Sequence, residues 1–243
     1  MSRDFELLNE VIGNQEKEKS TMDYIEPFEG ERASKYESNI VTMIPFYSGI
    51  SELVATLILK SIPSGSKILA AGCGTGADFR SLLKVAPDRY RITGVDPSAD
   101  MIAIAQKNFP GAELICAPVS SLDPNRKFSA ATLLFVLHFL PDDGTKLSLL
   151  KDIFSRLEPG GTFILFDLHD SQSDMEIVFE ELSLYLKEFQ GWEKDALKTY
   201  VDRVKGLKRI ATPRYEELFR EAGFKSWKKI FQAYHVGGWQ LFL

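Results

Sequence analysis

Gly72, Gly74 and Gly76 stand at alternate positions directly after the apolar run Ile68-Leu69-Ala70-Ala71. A second apolar run, 92–95, ends in Asp96, twenty residues beyond Gly76. Glycine tolerates positive φ and lets the backbone come close to a ligand, and a strand running into such a turn and then a helix aims backbone N–H groups at that ligand. A carboxylate at the end of the next strand can accept hydrogen bonds from ribose hydroxyls. The pattern therefore reads as a nucleotide-binding turn with Asp96 as the ribose ligand. The bland alternative is a tight turn, with Asp96 merely capping the next helix. Gly72-x-Gly74-x-x-Ala77 also satisfies the fingerprint of dinucleotide-binding folds, so the turn alone leaves an NAD site open. Cys73 reads as a small turn residue, because nothing near it in sequence would activate its thiol.

Proton-transfer chemistry rests on three histidines. His138 falls just beyond the predicted fourth strand and His169 just beyond the fifth, at the carboxyl ends where open α/β sheets bind ligands, so either could serve as a base. Leu137-His138-Phe139 lies in an apolar run and favours a structural role for His138, while His169 stands beside Asp167 and Asp170. His235 falls in a predicted turn and is expected to face solvent. Three histidines this dispersed, with Cys73 and Cys116 43 positions apart, do not outline a metal site, and Cys116 reads as strand core. The groups Lys205, Lys208, Arg209 and Lys225, Lys228, Lys229, with Trp227 interleaved, read as solvated surface rather than an RNA interface.

Positioning these residues requires a sheet. Apolar runs at 67–71, 92–95, 113–116, 131–137 and 162–166 alternate with helix-period segments, the pattern of a parallel α/β sheet. Ser98 is a candidate N-cap for a helix over 99–108, and Leu147, Leu150, Ile153, Phe154 and Leu157 share one helical face before the turn Pro159-Gly160-Gly161. Residues 1–65 read as helices broken at Ile44-Pro45, and 173–190 with 193–209 as a helical pair. A helix from Pro213 to Gly223 precedes two aromatic-rich runs, 226–234 and 239–243, which read as a hairpin joined near Gly237-Gly238. The expected organisation is an N-terminal helical segment, 1–65, covering the site, and a SAM-binding (S-adenosylmethionine-binding) domain, 66–243, with a cap inserted at about 170–212. Some 65 residues before the first strand and an aromatic hairpin at the end favour a SAM site over a dinucleotide site.

Composition is that of a globular chain: 243 residues, 44% hydrophobic and 26% charged. The net charge of −5 has the wrong sign for coating a nucleic-acid backbone, and the first 60 residues supply it, with eleven acids against six bases. No apolar run approaches the ~20 residues of a membrane span. Two cysteines without a CxxC pair fit a reducing, cytoplasmic setting.

Four blocks, ILAAGCGTG at 68–76, GVDPSADMI at 94–102, LLFVLHFLPD at 133–142 and LEPGGTFIL at 157–165, together resemble class I SAM-dependent methyltransferases. The resemblance implies a Rossmann-like α/β fold, a seven-stranded sheet of order 3-2-1-4-5-7-6 with strand 7 antiparallel, and SAM as cofactor. Within that superfamily the chain is similar to the carboxy-SAM synthases of tRNA wobble-uridine modification, through Phe28-Glu29, Tyr36, Ile44-Pro45-Phe46-Tyr47-Ser48, Ala222-Gly223-Phe224 and Phe231-Gln232-Ala233. Carried over by position, Tyr47, Gly72, Cys73, Gly74, Asp96 and Pro97 would contact the cofactor, Pro118 and Val119 would flank the adenine, and Gly76, Met101 and Leu134 complete the expected set. Three positions depart from that family: Ala70, Pro118 and Leu134 stand where it offers polar groups. Arg203 is the nearest arginine for an added carboxylate, out of register. The expected reaction is methyl transfer from ordinary SAM to a small-molecule acceptor, with His169 or His138 as base and no metal. The alternatives are a carboxy-SAM synthase or tRNA-modification enzyme, a non-catalytic SAM-binding partner and, last, an NAD oxidoreductase. A homodimer is left open.

Overall fold

In the computed structural model, residues 28–171 and 174–243 are described. The strands are β1 Lys67–Ala71, β2 Arg91–Asp96, β3 Glu113–Cys116, β4 Phe128–Leu134, β5 Leu157–Leu168, β6 Ser226–Ala233 and β7 Val236–Phe242. The helices are α1 Gly30–Met43, α2 Tyr47–Ser61, α3 Arg80–Val85, α4 Ala99–Asn108, α5 Thr145–Ser155, α6 Met175–Gln190, α7 Lys194–Gly206 and α8 Thr212–Ala222. The strands form one sheet of order β3-β2-β1-β4-β5-β7-β6. β7 runs antiparallel to β5 and β6, and the other pairs are parallel. This is the order the methyltransferase resemblance implies.

Period-2 alternation divides the core between the two faces of the sheet. Ile68, Ala70, Ile92, Ala130 and Ile164 point to the face covered by Ile50, Val54 and Ile58 of α2. Leu69, Ala71, Leu133, Leu165, Trp239 and Leu241 point to the other face, where Leu150 and Ile153 of α5 and Leu218 and Phe219 of α8 pack. Continuous apolar strands such as KILAA are required because both faces are covered. α6 and α7 make a smaller cluster of their own through Phe179, Leu182, Leu186, Leu197, Tyr200 and Val204.

Several boundaries differ from the sequence expectation. β4 stops at Leu134, because Phe135 takes φ +60 and the chain continues as a 3-10 turn over Leu137–Phe139. β5 begins at Leu157, which pairs with Phe128, and so carries the Pro159-Gly160-Gly161 triplet within it. The hairpin turns at Tyr234-His235, not at the glycines. Gly237 and Gly238 lie inside β7 because the strand passes tightly over its neighbours: a Cβ would stand 2.6 Å from the His169 ring at Gly237 and 2.5 Å from the Phe166 ring at Gly238. The second helix of the cap pair ends at Gly206, leaving Lys208 and Arg209 in extended chain. Cys116 is exposed rather than core, since β3 is the edge strand. The helical expectation for residues 1–27 lies outside the described residues.

α1 crosses the carboxyl ends of β1 and β2. The Ser98 hydroxyl donates to the Phe28 carbonyl at 2.6 Å, and the Gly30 N–H donates to the Asp100 carboxylate at 2.6 Å. Glu37 accepts from Arg80 at 2.7 Å and from Asn108 at 2.8 Å. Among the described residues, no single helix is long and apolar enough to cross a membrane.

Candidate cofactor and acceptor site

A cavity of about 280 Å³ opens at the carboxyl ends of β1, β2 and β4 beneath α1. The glycine turn forms its floor. Gly72 has φ +61, and a Cβ there would stand 2.6 Å from a Val136 methyl, so conformation and contact both demand glycine. Gly74 has φ +51, and its N–H donates to Asp96 Oδ2 at 2.9 Å. Asp96 Oδ1 accepts from the Ser98 N–H at 2.9 Å, and the Ser98 hydroxyl accepts from the Met101 N–H at 3.2 Å, capping α4. Burial raises the Asp96 carboxyl above the usual carboxylate range, opposed by those two backbone hydrogen bonds. Each carboxylate oxygen keeps a lone pair, so the group can still accept from two vicinal hydroxyls.

Val95, Pro97, Met101, Pro118, Val119 and Leu134 line the rest of the floor and one wall. This is an apolar slot of the kind a flat heterocycle fills. The 118–122 segment is held by Arg156, 4% exposed, whose Nη2 donates to the Ser120 carbonyl at 3.2 Å and the Leu122 carbonyl at 2.9 Å. Phe28, Tyr36 and Phe139 roof the cavity edge to face, with Phe28 5.5 Å from the Tyr36 ring and 5.6 Å from the Phe139 ring.

Three expected cofactor contacts stand behind the cavity wall. Gly76, at φ +81, backs onto Phe109, which a Cβ would meet at 2.6 Å. Cys73 is 2% exposed and packs beneath Gly94; burial, with Asp96 and Asp78 adding, pushes its thiol up, so it is no nucleophile. Tyr47 is buried, and its hydroxyl donates to Asp78 at 3.4 Å. Asp78 is the residue the sequence reading missed. The residue as a whole is half-buried while its carboxyl is crowded by protein, and burial pushes the carboxyl up to about 8, with the Tyr47 hydrogen bond opposing and Asp96 adding. Its only signal in the sequence is an acid two residues past the glycine turn.

The histidines sort differently from the sequence expectation. His169 is fully buried, with Nδ1 near the Asp170 carbonyl at 3.0 Å and the Thr212 hydroxyl at 3.2 Å, and Nε2 2.9 Å from the Gln232 amide oxygen. Both ring nitrogens are engaged, and burial with Lys229 holds it below the usual imidazole range. His138 instead pairs one nitrogen, Nδ1, with Asp167 at 2.5 Å, and Asp167 accepts from the Tyr215 hydroxyl on its other oxygen at 2.5 Å. A carboxylate oxygen accepts, so Nδ1 carries the proton and Nε2, which bonds nothing among the described residues, is the basic nitrogen. Lys146 fixes the turn that carries His138: its fully buried ammonium donates to the carbonyls of Leu137, of Leu140 at 2.7 Å and of Lys208 at 2.8 Å. His235, expected to face solvent, is 0% exposed, and Arg209, expected on the solvated surface, keeps 8% of its side chain exposed.

Residues 68–161 match the model of a methyltransferase domain. The chain is 24% identical over 228 residues to a carboxy-S-adenosyl-L-methionine synthase of Hydrogenovibrio crunogenus, spanning 87% of this chain and 90% of that one. It is 28% identical over 190 residues to a demethylmenaquinone methyltransferase of Bacillus licheniformis, spanning 70% and 75%. In fold it is similar to the plantazolicin methyltransferase BpumL, solved with a triazolic desmethylPZN analogue and S-adenosylhomocysteine (SAH), at TM-score 0.64, 15% identity and 88% and 92% coverage. It is also similar to Streptomyces venezuelae DesVI, at TM-score 0.60, 20% identity and 88% and 98% coverage. With the domain match, the sheet order and the glycine cradle in agreement, the chain carries a methyltransferase domain on the fold of SAM-dependent methyltransferases, and it is similar over most of its length to the carboxy-SAM synthases.

Proposed function

We propose that this enzyme methylates a protonated nucleophile on a small molecule, using ordinary SAM and His138 as general base. The observation that carries the reading is the buried His138–Asp167 pair one residue behind the cavity wall: His138 precedes Phe139 and Leu140, which line it, so its ring reaches an acceptor only by a small shift of that turn. In the cofactor site, Asp96 would hold the ribose hydroxyls and the slot of Pro118, Val119 and Leu134 the adenine. Asp78, backed by Tyr47, would face the methionine ammonium, in place of the carboxyl that Ala70 lacks. When bound, SAM supplies a methyl carbon on a sulfonium, which leaves as a neutral thioether under attack by a lone pair. Asp167 holds the His138 Nδ1 proton and ring orientation, Nε2 takes the acceptor's proton, and the resulting imidazolium is stabilised by the same carboxylate. The aromatic roof excludes water from the reacting pair.

A carboxy-SAM synthase is the second reading, favoured by the likeness over 87% of the chain. Against it, among the described residues the only charged ones lining the cavity are Asp96 and Asp152, so an added carboxylate would meet acids and no cation from them.

The test has two parts. His138→Gln should bind SAM as tightly as wild type by calorimetry while releasing SAH from an acceptor panel of phenols, amines and carboxylic acids about 10²–10⁴-fold more slowly. Equal turnover would remove His138 from the reaction. Incubation with SAM and prephenate should leave SAM unchanged in mass; a product heavier by one carboxylate, formed faster than without enzyme, would replace the first reading with the second.

A further inference from the structure

Arg209 lies just beyond α7, with its side chain 8% exposed. Nε donates to Asp170 at 2.9 Å, while Nη1 is buried with no partner among the described residues. His235, in the β6–β7 turn, is 0% exposed, and neither Nδ1 nor Nε2 has a partner among the described residues. Both side chains lie against one ring: the guanidinium carbon is 5.3 Å and the imidazole 6.2 Å from the centre of Phe179. Three polar atoms in one buried cluster are thus unmet among the described residues, a state folded proteins rarely keep without an occupant.

The surroundings say what kind of occupant fits. The charged and titratable neighbours of His235 are Arg209, His138 and His169, and with burial they hold its imidazole down to about 3. Nearby carboxylates are already committed: Asp170 takes Nε of Arg209, and Asp167 is bonded on both oxygens, to His138 and to Tyr215. The neutral imidazole offers one N–H and one lone pair, so the unmet donors are Arg209 Nη1 and one His235 nitrogen, against a single unmet acceptor. A guanidinium with one arm taken and the other free, beside an imidazole N–H, matches the two oxygens of a carboxylate, whereas an amide would offer one oxygen and no charge. The cluster also adjoins the proposed base, because the Lys208 N–H, one residue before Arg209, donates to the His138 carbonyl at 2.8 Å.

We propose that Arg209 and His235 form an internal carboxylate-binding site on the acceptor side, and that the acceptor is an acidic small molecule. The acceptor assignment rests on the methyl-transfer reading; the anion site does not.

The test uses full-length protein without SAM, so that failure of the methyl-transfer reading leaves it untouched. Formate, acetate and benzoate, each against its amide at matched ionic strength, are titrated while the His235 ring ¹⁵N shifts are followed by NMR. At least one carboxylate should give a saturable shift and its amide none. Arg209→Met should weaken that binding at least tenfold, and His235→Phe should weaken it in a parallel thermal-shift titration. If Arg209→Met does not fold, Arg209→Lys, which keeps the charge but loses the fork, should weaken it several-fold. No saturable response from any carboxylate, or equal responses in wild type and the Arg209 variants, would overturn the site and assign the cluster to buried water.

Discussion

Replacing Asp78 by Asn should change how stability depends on pH. In the folded chain the Asp78 carboxyl is pushed up to about 8 by burial, whereas an unfolded Asp titrates near 3.9. Between those values the folded state holds a proton that the unfolded state has released, so stability is greatest below the lower value and falls as pH rises towards the upper one, by at most about 1.4 kcal/mol per pH unit. From pH 5 to pH 7 the ceiling is about 2.7 kcal/mol, and solvent reaching a residue that is only half-buried reduces this to about 1–1.5 kcal/mol. For a chain of this size that is roughly 2–6 °C in Tm. Asparagine does not titrate, so the wild-type Tm should lose that amount relative to Asp78→Asn over the window, measured by circular dichroism at pH 5, 6 and 7 and fixed ionic strength. Taking the difference cancels every other titrating group. Saturating SAM, by placing a cation against the carboxylate, should bring the two profiles back into parallel. Parallel profiles without SAM would show that Asp78 is ionised throughout and would refute the buried-proton reasoning. Profiles that SAM leaves divergent would remove Asp78 from the cofactor site.

Other perturbations have definite outcomes. Asp96→Ala removes the carboxylate proposed to hold the two ribose hydroxyls and should weaken SAM binding about 10–100-fold by calorimetry, with the fold retained; unchanged affinity would contradict the assignment. Gly74→Val forces a β-branched residue to φ +51, at a cost of about 1–2 kcal/mol, and should yield a folded protein without measurable SAM binding. Lys146→Met leaves three buried carbonyls without their donor and should lower stability by about 3 kcal/mol in urea, with methyl transfer falling further than SAM affinity because the His138 turn loosens.

The sheet was legible because its signals are local and repeated. Apolar runs alternate with helical periods, Ser98 precedes a helix it does cap, and the glycine turn announces itself at 72–76. What escaped was decided by packing between distant segments. Arg209 and His235 read as surface because a basic group and a turn histidine usually are; in the fold, Phe179 of α6 lies against both of them. Gly237-Gly238 resembled a turn because glycine marks turns more often than the close passage of a strand over aromatic rings. Asp78 acquires its environment from Tyr47, 31 residues away, and His138 its basic nitrogen from Asp167, 29 residues away; neither pairing has a sequence spacing to betray it.

The contacts between α1 and the cofactor loop have a kinetic consequence. Ser98 bonds in two directions: its hydroxyl reaches the Phe28 carbonyl of the roof, and its N–H reaches the Asp96 carboxylate beneath. On the proposed cofactor assignment, lifting the roof would pull on the residue that orients the Asp96 carboxylate, so the grip on spent cofactor would slacken as the exit opened. Residence time and access would then hang on one serine, and Ser98→Ala, which removes the bond to the Phe28 carbonyl, should uncouple the departure rate of SAH from the opening rate of the roof in stopped-flow release.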